Sequence, residues 1–102
     1  MAISDVNLKN SMYYALDEQN KEISHDWESS VGELLGFNAN FMLFLKNQMY
    51  YTRDEKFKEI AHDWESSLGE YRNVSGSSIN FERNNMIYTR DKNLKEISHR
   101  WK

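Results

Sequence analysis

Three side-chain types recur along this 102-residue chain at one fixed interval, and together they could recognise a ligand. Tryptophan stands at Trp27, Trp64 and Trp101, glutamate at Glu22, Glu59 and Glu96, and arginine at Arg53 and Arg90, with neighbours in each set 37 residues apart. A flat indole face stacks on the C–H side of a sugar ring, while carboxylate and guanidinium groups bond its hydroxyls, so the set suits carbohydrate binding. The competing reading is that the tryptophans fill a core and the Glu and Arg residues are solvated strand faces, since large aromatics more often pack than serve as platforms. Other chemistries are weaker. His25, His62 and His99 recur at the same interval and three imidazoles suit zinc, but residues on successive repeats are expected a repeat's width apart. Asp17-Glu18 and Asp54-Glu55, with Asp26 and Asp63, could be posed as paired carboxylates for glycoside hydrolysis, yet an active site is usually single whereas these recur at turns. There is no Gly-rich phosphate loop and no Ser-His-Asp spacing. The expectation is a non-enzymatic protein with no catalytic residue, metal ligand or cofactor.

The elements that must position these residues come from a tandem repeat. Between Ser11–Ser30 and Gln48–Ser67, 14 of 20 positions are identical, and Gln48–Trp64 matches Asn85–Trp101 at 10 of 17. The chain reads as one repeat domain, 1–102, with repeats at about 1–30, 31–67 and 68–102. In each, an extended segment (Ser4–Leu8, Phe41–Leu45, Ser78–Glu82) leads to a basic residue and an asparagine: Lys9-Asn10, Lys46-Asn47 and Arg83-Asn84. Asparagine tolerates the left-handed conformation, so the doublet predicts a tight turn. MYYAL, MYYTR and MIYTR then read as strands ending at Asp17, Asp54 and Asp91. The following NKEISHDW, FKEIAHDW and LKEISHRW read as third strands; strict alternation puts Lys58, Ile60, His62 and Trp64 on one face and Phe57, Glu59, Ala61 and Asp63 on the other. Ser29–Glu33 and Ser66–Glu70 allow a short final strand, giving a four-stranded antiparallel meander per repeat. A helix competes in the third segment, because Phe57, Ile60, Ala61, Trp64, Leu68 and Tyr71 fall at helical spacing.

Composition narrows the class of partner. Thirteen basic against sixteen acidic residues leave a net charge of −3 with no basic patch, which argues against nucleic acid. The longest apolar run, Phe41–Leu45, is far short of a membrane span, and MAISDVNLKN does not read as a signal peptide. With no cysteine there is neither a disulfide framework nor a thiolate nucleophile. Fourteen aromatics (3 Trp, 6 Tyr, 5 Phe) supply large buried areas at few positions. A soluble protein is expected, cytoplasmic or secreted without a recognisable signal peptide.

Segments such as SSINFERNNMIYTRDKNLKEISHRW and MYYALDEQNKEISHDWES resemble the blade motif of β-propeller lectins, especially fucose-binding fungal and bacterial lectins with short repeats. The family's pattern of a tyrosine-containing strand ending near Asp, a polar turn, and a strand carrying Glu and ending in an aromatic matches Glu22, Glu59 and Glu96 and Trp27, Trp64 and Trp101. Its sugar-clamping arginine would align with Ser11, Gln48 and Asn85; here Arg53 and Arg90 stand instead at the strand's far end, and Leu16 in the first repeat. The resemblance implies an all-β fold: a β-propeller of three short four-stranded blades per chain, carrying repeated carbohydrate-binding sites for saccharides or glycoprotein glycans. Propellers close with roughly four to eight blades. Two copies would give the six blades of the resembled lectins, so a homo-oligomer, a homodimer, is expected. The third repeat stops after Trp101 with no residues for its outer strand. The alternative is an α-helical or mixed repeat module acting as a protein-interaction scaffold.

Overall fold

The computed structural model describes residues 2–102 and consists of three antiparallel sheets laid face to face. Sheet 1 contains β1 (Asp5–Lys9), β2 (Met12–Leu16) and β3 (Glu22–Trp27); sheet 2 contains β4 (Glu33–Phe37), β5 (Met42–Lys46), β6 (Met49–Arg53) and β7 (Glu59–Trp64). Sheet 3 contains β8 (Glu70–Ser75), β9 (Ser78–Arg83), β10 (Met86–Arg90) and β11 (Glu96–Trp101). One-turn helices α1 (Glu28–Val31) and α2 (Glu65–Leu68) carry the chain from the last strand of one sheet to the first strand of the next. Every strand pairs with its sequence neighbour. The helical stripe from Phe57 to Tyr71 does not form: hydrogen bonding along β6 claims Glu59–Trp64 as a strand, and only Glu65–Leu68 turns helically.

Two expectations about strand allocation are corrected. The short strand after each serine pair opens the next sheet and does not close its own repeat, because the helix turn and Gly32 or Gly69 redirect the backbone. Those glycines have φ of 93° and 99° and sit against the backbone carbonyls of Leu45 and Glu82, where a side chain has no room. Sheet 3 is consequently four-stranded, and it is sheet 1 that has three strands among the described residues. The hairpin turns fall one residue later than the basic-Asn doublet: Asn10-Ser11, Asn47-Gln48 and Asn84-Asn85 all have positive φ, as a type I′ turn requires. The basic residue instead binds the one-turn helix that precedes its own sheet. Lys46 Nζ donates to Ser30 O at 2.9 Å, and Arg83 Nη1 to Ser67 O at 3.0 Å.

Strand alternation sends one set of apolar side chains each way, forming two seams. In the first, Tyr13, Ala15, Val6 and Ile23 of sheet 1 meet Met42, Phe44 and Phe57 of sheet 2; in the second, Leu43, Tyr50 and Ile60 meet Ile79, Phe81 and Leu94 of sheet 3. Tyr13 packs edge-on against Phe44 at 5.4 Å, and Tyr50 lies 4.8 Å from Phe81. The phenols also bridge backbone: Tyr13 Oη accepts from Leu34 N at 3.0 Å, while Tyr50 Oη accepts from Tyr71 N at 3.0 Å and donates to Gly69 O at 2.7 Å. Burial pushes the Tyr50 hydroxyl up to about 12 and raises that of Tyr13.

Each seam is plugged by a turn. In Asp54–Lys58 and Asp91–Lys95, the aspartate Oδ1 accepts the N–H groups two and four residues on, and the fourth residue turns left-handed: Phe57 at φ 64° and Leu94 at φ 63°. A left-handed non-glycine residue costs roughly 1–2 kcal/mol, whereas burying a Phe or Leu side chain returns about 1.5–3 kcal/mol, so burial wins. Asn20 adopts the same conformation in sheet 1, but it is exposed and plugs nothing. One further bond latches each plug. Ser24 donates to Glu55 O across the first seam and Thr52 to Lys92 O, at 2.6 Å, across the second. Ser24 faces Ala15 and Thr52 faces Ala61 in register, so each cross-strand pair supplies one hydroxyl, from opposite strands, to equivalent carbonyls.

Candidate functional site

The last two strands of every sheet bear the recurring residues. Their registers pair Met49 with Trp64, Tyr51 with His62 and Arg53 with Glu59 in sheet 2, and Met86 with Trp101, Tyr88 with His99 and Arg90 with Glu96 in sheet 3. Sheet 1 pairs Met12 with Trp27, Tyr14 with His25 and Leu16 with Glu22. Directly opposed residues share a face. Three cross-strand rows therefore make one strip per sheet, about 13 Å long at roughly 3.3 Å per residue.

A β-bulge assembles the strip. The register slips between Thr52 and Arg53, so that Ile60 and Ala61 together occupy one position. Strict alternation, which puts Glu59 on the face opposite His62 and Trp64, is corrected by that extra residue. Glu59 is brought onto the His62 side, where its Oε2 lies 2.6 Å from His62 Nδ1. The same slip recurs in the other sheets, with Glu22 to His25 and Glu96 to His99 both at 2.8 Å. These contacts occupy one carboxylate oxygen and one imidazole nitrogen, leaving the other of each open to a ligand. The imidazoles lean on the tyrosines, with ring centroids 5.9, 5.7 and 5.8 Å apart in sheets 1, 2 and 3.

Arginine completes two of the three strips. Arg53 Cζ lies 5.7 Å from the Tyr51 ring centroid and Nη1 donates to Phe57 O at 2.8 Å; Arg90 lies 6.0 Å from Tyr88 and donates to Leu94 O at 2.8 Å. Neither guanidinium has a carboxylate within ion-pair distance among the described residues, although Glu59 and Glu96 stand opposite in register. The Nε of each is buried without a hydrogen-bond partner among the described residues. A buried charged donor left unpaired is costly, which makes the spot a natural receiver for a ligand oxygen. At the other end of the strips the indoles are open: Trp27 is 54% exposed, Trp64 53% and Trp101 75%. They lie on the surface, outside both cores.

Of the eight residues singled out in the sequence, Arg53, Glu59 and Trp64 thus share the strip of sheet 2, and Arg90, Glu96 and Trp101 that of sheet 3. Glu22 and Trp27 lie on sheet 1's strip, where Leu16 replaces the arginine. Tyr14, Tyr51 and Tyr88, and the histidines as members of the same strips, are not marked by the residue types alone; the same 37-residue recurrence, taken with the bulge, picks them out. No group of three or more metal-ligating side chains gathers among the described residues, each histidine being tied to its own sheet's glutamate. A pocket of about 270 Å³ lined by Asn40, Phe41, Ser77, Asp91, Lys92 and Asn93 contains none of the recurring residues. No helix is long and apolar enough to cross a membrane among the described residues. Comparison of the chain with protein-family models, curated proteins and solved structures found no match.

Proposed function

We propose, from this geometry alone, that the chain is a carbohydrate-binding, lectin-like protein whose three sheets stack like blades of a β-propeller, without enzymatic activity, and whose ligand lies along the strips of sheets 2 and 3. The observation that carries the reading is the buried, unpaired Nε of Arg53 and Arg90, set at the glutamate end of a strip whose far end is an exposed tryptophan. Arginine presents a planar fork of donors that matches two neighbouring hydroxyls. Glu59 or Glu96 accepts a third, and the indole stacks on the apolar side of a ring. One cation and one anion per strip leave no net charge to neutralise, so the ligand is an uncharged saccharide. A strip of about 13 Å outruns a single ring, which favours a glycan of two or three residues. Two strips on one scaffold gain avidity toward clustered glycans through effective concentration. In support of the blade-like stacking, sheets 2 and 3 approach most closely at their first strands, β4 with β8, while β11 at the far edge is exposed throughout.

A glycan array bearing fucose, mannose, galactose and sialic acid termini tests this. Binding to neutral oligosaccharides, abolished in an Arg53→Ala, Arg90→Ala double variant that keeps its circular dichroism spectrum, is the expected outcome. Silence across every probe removes the reading.

A further inference from the structure

We infer that the two end faces of the stack are finished caps, so that the chain stands alone as three sheets and does not join a second copy into the six-sheet ring expected from the repeat count. The inference rests on residues at equivalent positions, 37 apart, and is independent of any ligand.

Consider the face each sheet turns toward the preceding one. In sheets 2 and 3 its core positions hold Met42, Phe44 and Phe57, and Ile79, Phe81 and Leu94, all buried. In sheet 1 the same positions hold Asp5, Asn7 and Asn20, all exposed. The substitution at the turn is the most informative. Phe57 and Leu94 accept a left-handed backbone because a seam receives their side chains, while sheet 1 places at that angle an asparagine, which tolerates it better than most non-glycine residues, and sends no apolar side chain outward.

The face turned toward the following sheet shows the same break. Sheet 2 offers Leu35, Leu43 and Leu45, which pack against sheet 3. Sheet 3 has Arg72, Asn80 and Glu82 at those positions, and they satisfy one another. Arg72 Nη1 donates to Glu82 Oε1 at 3.0 Å, Lys102 Nζ to Glu82 Oε2 at 3.0 Å, Asn80 Nδ2 to Asn73 Oδ1 at 2.9 Å and Thr89 Oγ1 to Asn80 Oδ1 at 2.6 Å. Thr89 is the counterpart of Thr52, the hydroxyl that latches the second seam, and here it turns back into its own sheet. Ile87 on this face is already buried within the chain, and Ile97 remains 58% exposed. Pressing sheet 3 of one copy onto sheet 1 of another would desolvate this network against Asp5 and Asn7, with no apolar side chain at position 20 to fill the gap. Repeat arrays end in polar-faced units for this physical reason.

Sedimentation velocity on the full chain at micromolar and higher concentration tests the inference. The expected result is a single species of 12.2 kDa; a species of twice that mass overturns it. A second arm asks whether these residues are responsible. Installing sheet 2's seam residues at both ends, as Asp5→Met, Asn7→Phe and Asn20→Phe together with Asn80→Leu and Glu82→Leu, is expected to give head-to-tail association that grows with concentration. A folded, monomeric quintuple variant overturns the assignment to these side chains; the parent's mass decides the matter if that variant does not fold.

Discussion

The strips of sheets 1 and 2 share a tyrosine, a histidine, a glutamate and a tryptophan in the same register, and differ where Leu16 stands for Arg53. The turn that follows differs in step, with exposed Asn20 in place of buried Phe57. Sheet 3 keeps both members of the pair, as Arg90 and Leu94. Arginine is therefore present where a turn plugs a seam and absent where it does not. The hydrogen bond each arginine makes explains the coupling. Nη1 braces the carbonyl of the plug residue, which fixes the guanidinium in place and leaves its Nε without a partner among the described residues. A residue that holds the fold together thus keeps one donor, the buried Nε, unused. On the proposed reading one side chain carries both a structural and a ligand-binding duty, and experiments that read stability and affinity separately divide them.

The strongest way to break the contrast is to empty a plug. Phe57→Ala is expected to cost about 3–4 kcal/mol in chemical denaturation, since it opens a cavity in the first seam, and to loosen Arg53 with it. Phe57→Asn, which imports the residue of sheet 1, should cost less because Asn suits the left-handed backbone; an Asn variant less stable than the Ala variant would contradict the account of Asn20. Next in size, Arg53→Ala should lower glycan affinity at its own strip about 100-fold while costing only ~1 kcal/mol of stability, the net value of one brace. Arg53→Lys should recover part of the stability and little of the affinity, because an ammonium lacks the planar fork. Equal losses in both quantities would make the arginine purely structural.

The seam phenols give a pH test of similar magnitude. A hydroxyl whose folded value is raised contributes stability that is fully present below its ordinary value near 10 and lost as the pH climbs through the folded value. For Tyr50 that window runs from about 10 to about 12, so the stack should weaken progressively across it, while Tyr50→Phe flattens the profile and costs about 1–3 kcal/mol at neutral pH by leaving Tyr71 N and Gly69 O unpaired. The smallest effect should come from arming sheet 1. Leu16→Arg is expected to change stability by less than about 0.5 kcal/mol and to raise the calorimetric stoichiometry for the array-selected oligosaccharide from two toward three per chain.

Most of the strand order was legible because hairpin signals act locally: the asparagine turns and the aromatic runs of β2, β6 and β10 need only their neighbours to be recognised. Ownership of β4 and β8 was not, since the serine-glycine segment looks the same whether the strand after it returns to its own sheet or departs to the next. That choice is made by Gly32 and Gly69 against distant carbonyls. The site was half legible. Residue types and the interval marked Arg53, Glu59 and Trp64, but strict alternation separated Glu59 from Trp64, and only the double-occupancy Ile60-Ala61 reunites them. Phe57 was placed on a strand by the same alternation, whereas the Asp54 carboxylate captures the backbone N–H groups of Lys56 and Lys58 and makes it the tip of a turn.

The unbroken neighbour-to-neighbour pairing of the strands also bears on how the chain reaches this state. Most contacts close short loops, so the entropy lost before each hairpin is rewarded is small, and contact order is low for an all-β protein. The hairpins are positioned to zip first, with seam formation by the turn plugs as the step that makes unfolding cooperative. The sequence contains no proline, so the slow isomerisation phase common in refolding has no source here, and recovery from denaturant should run in one fast phase.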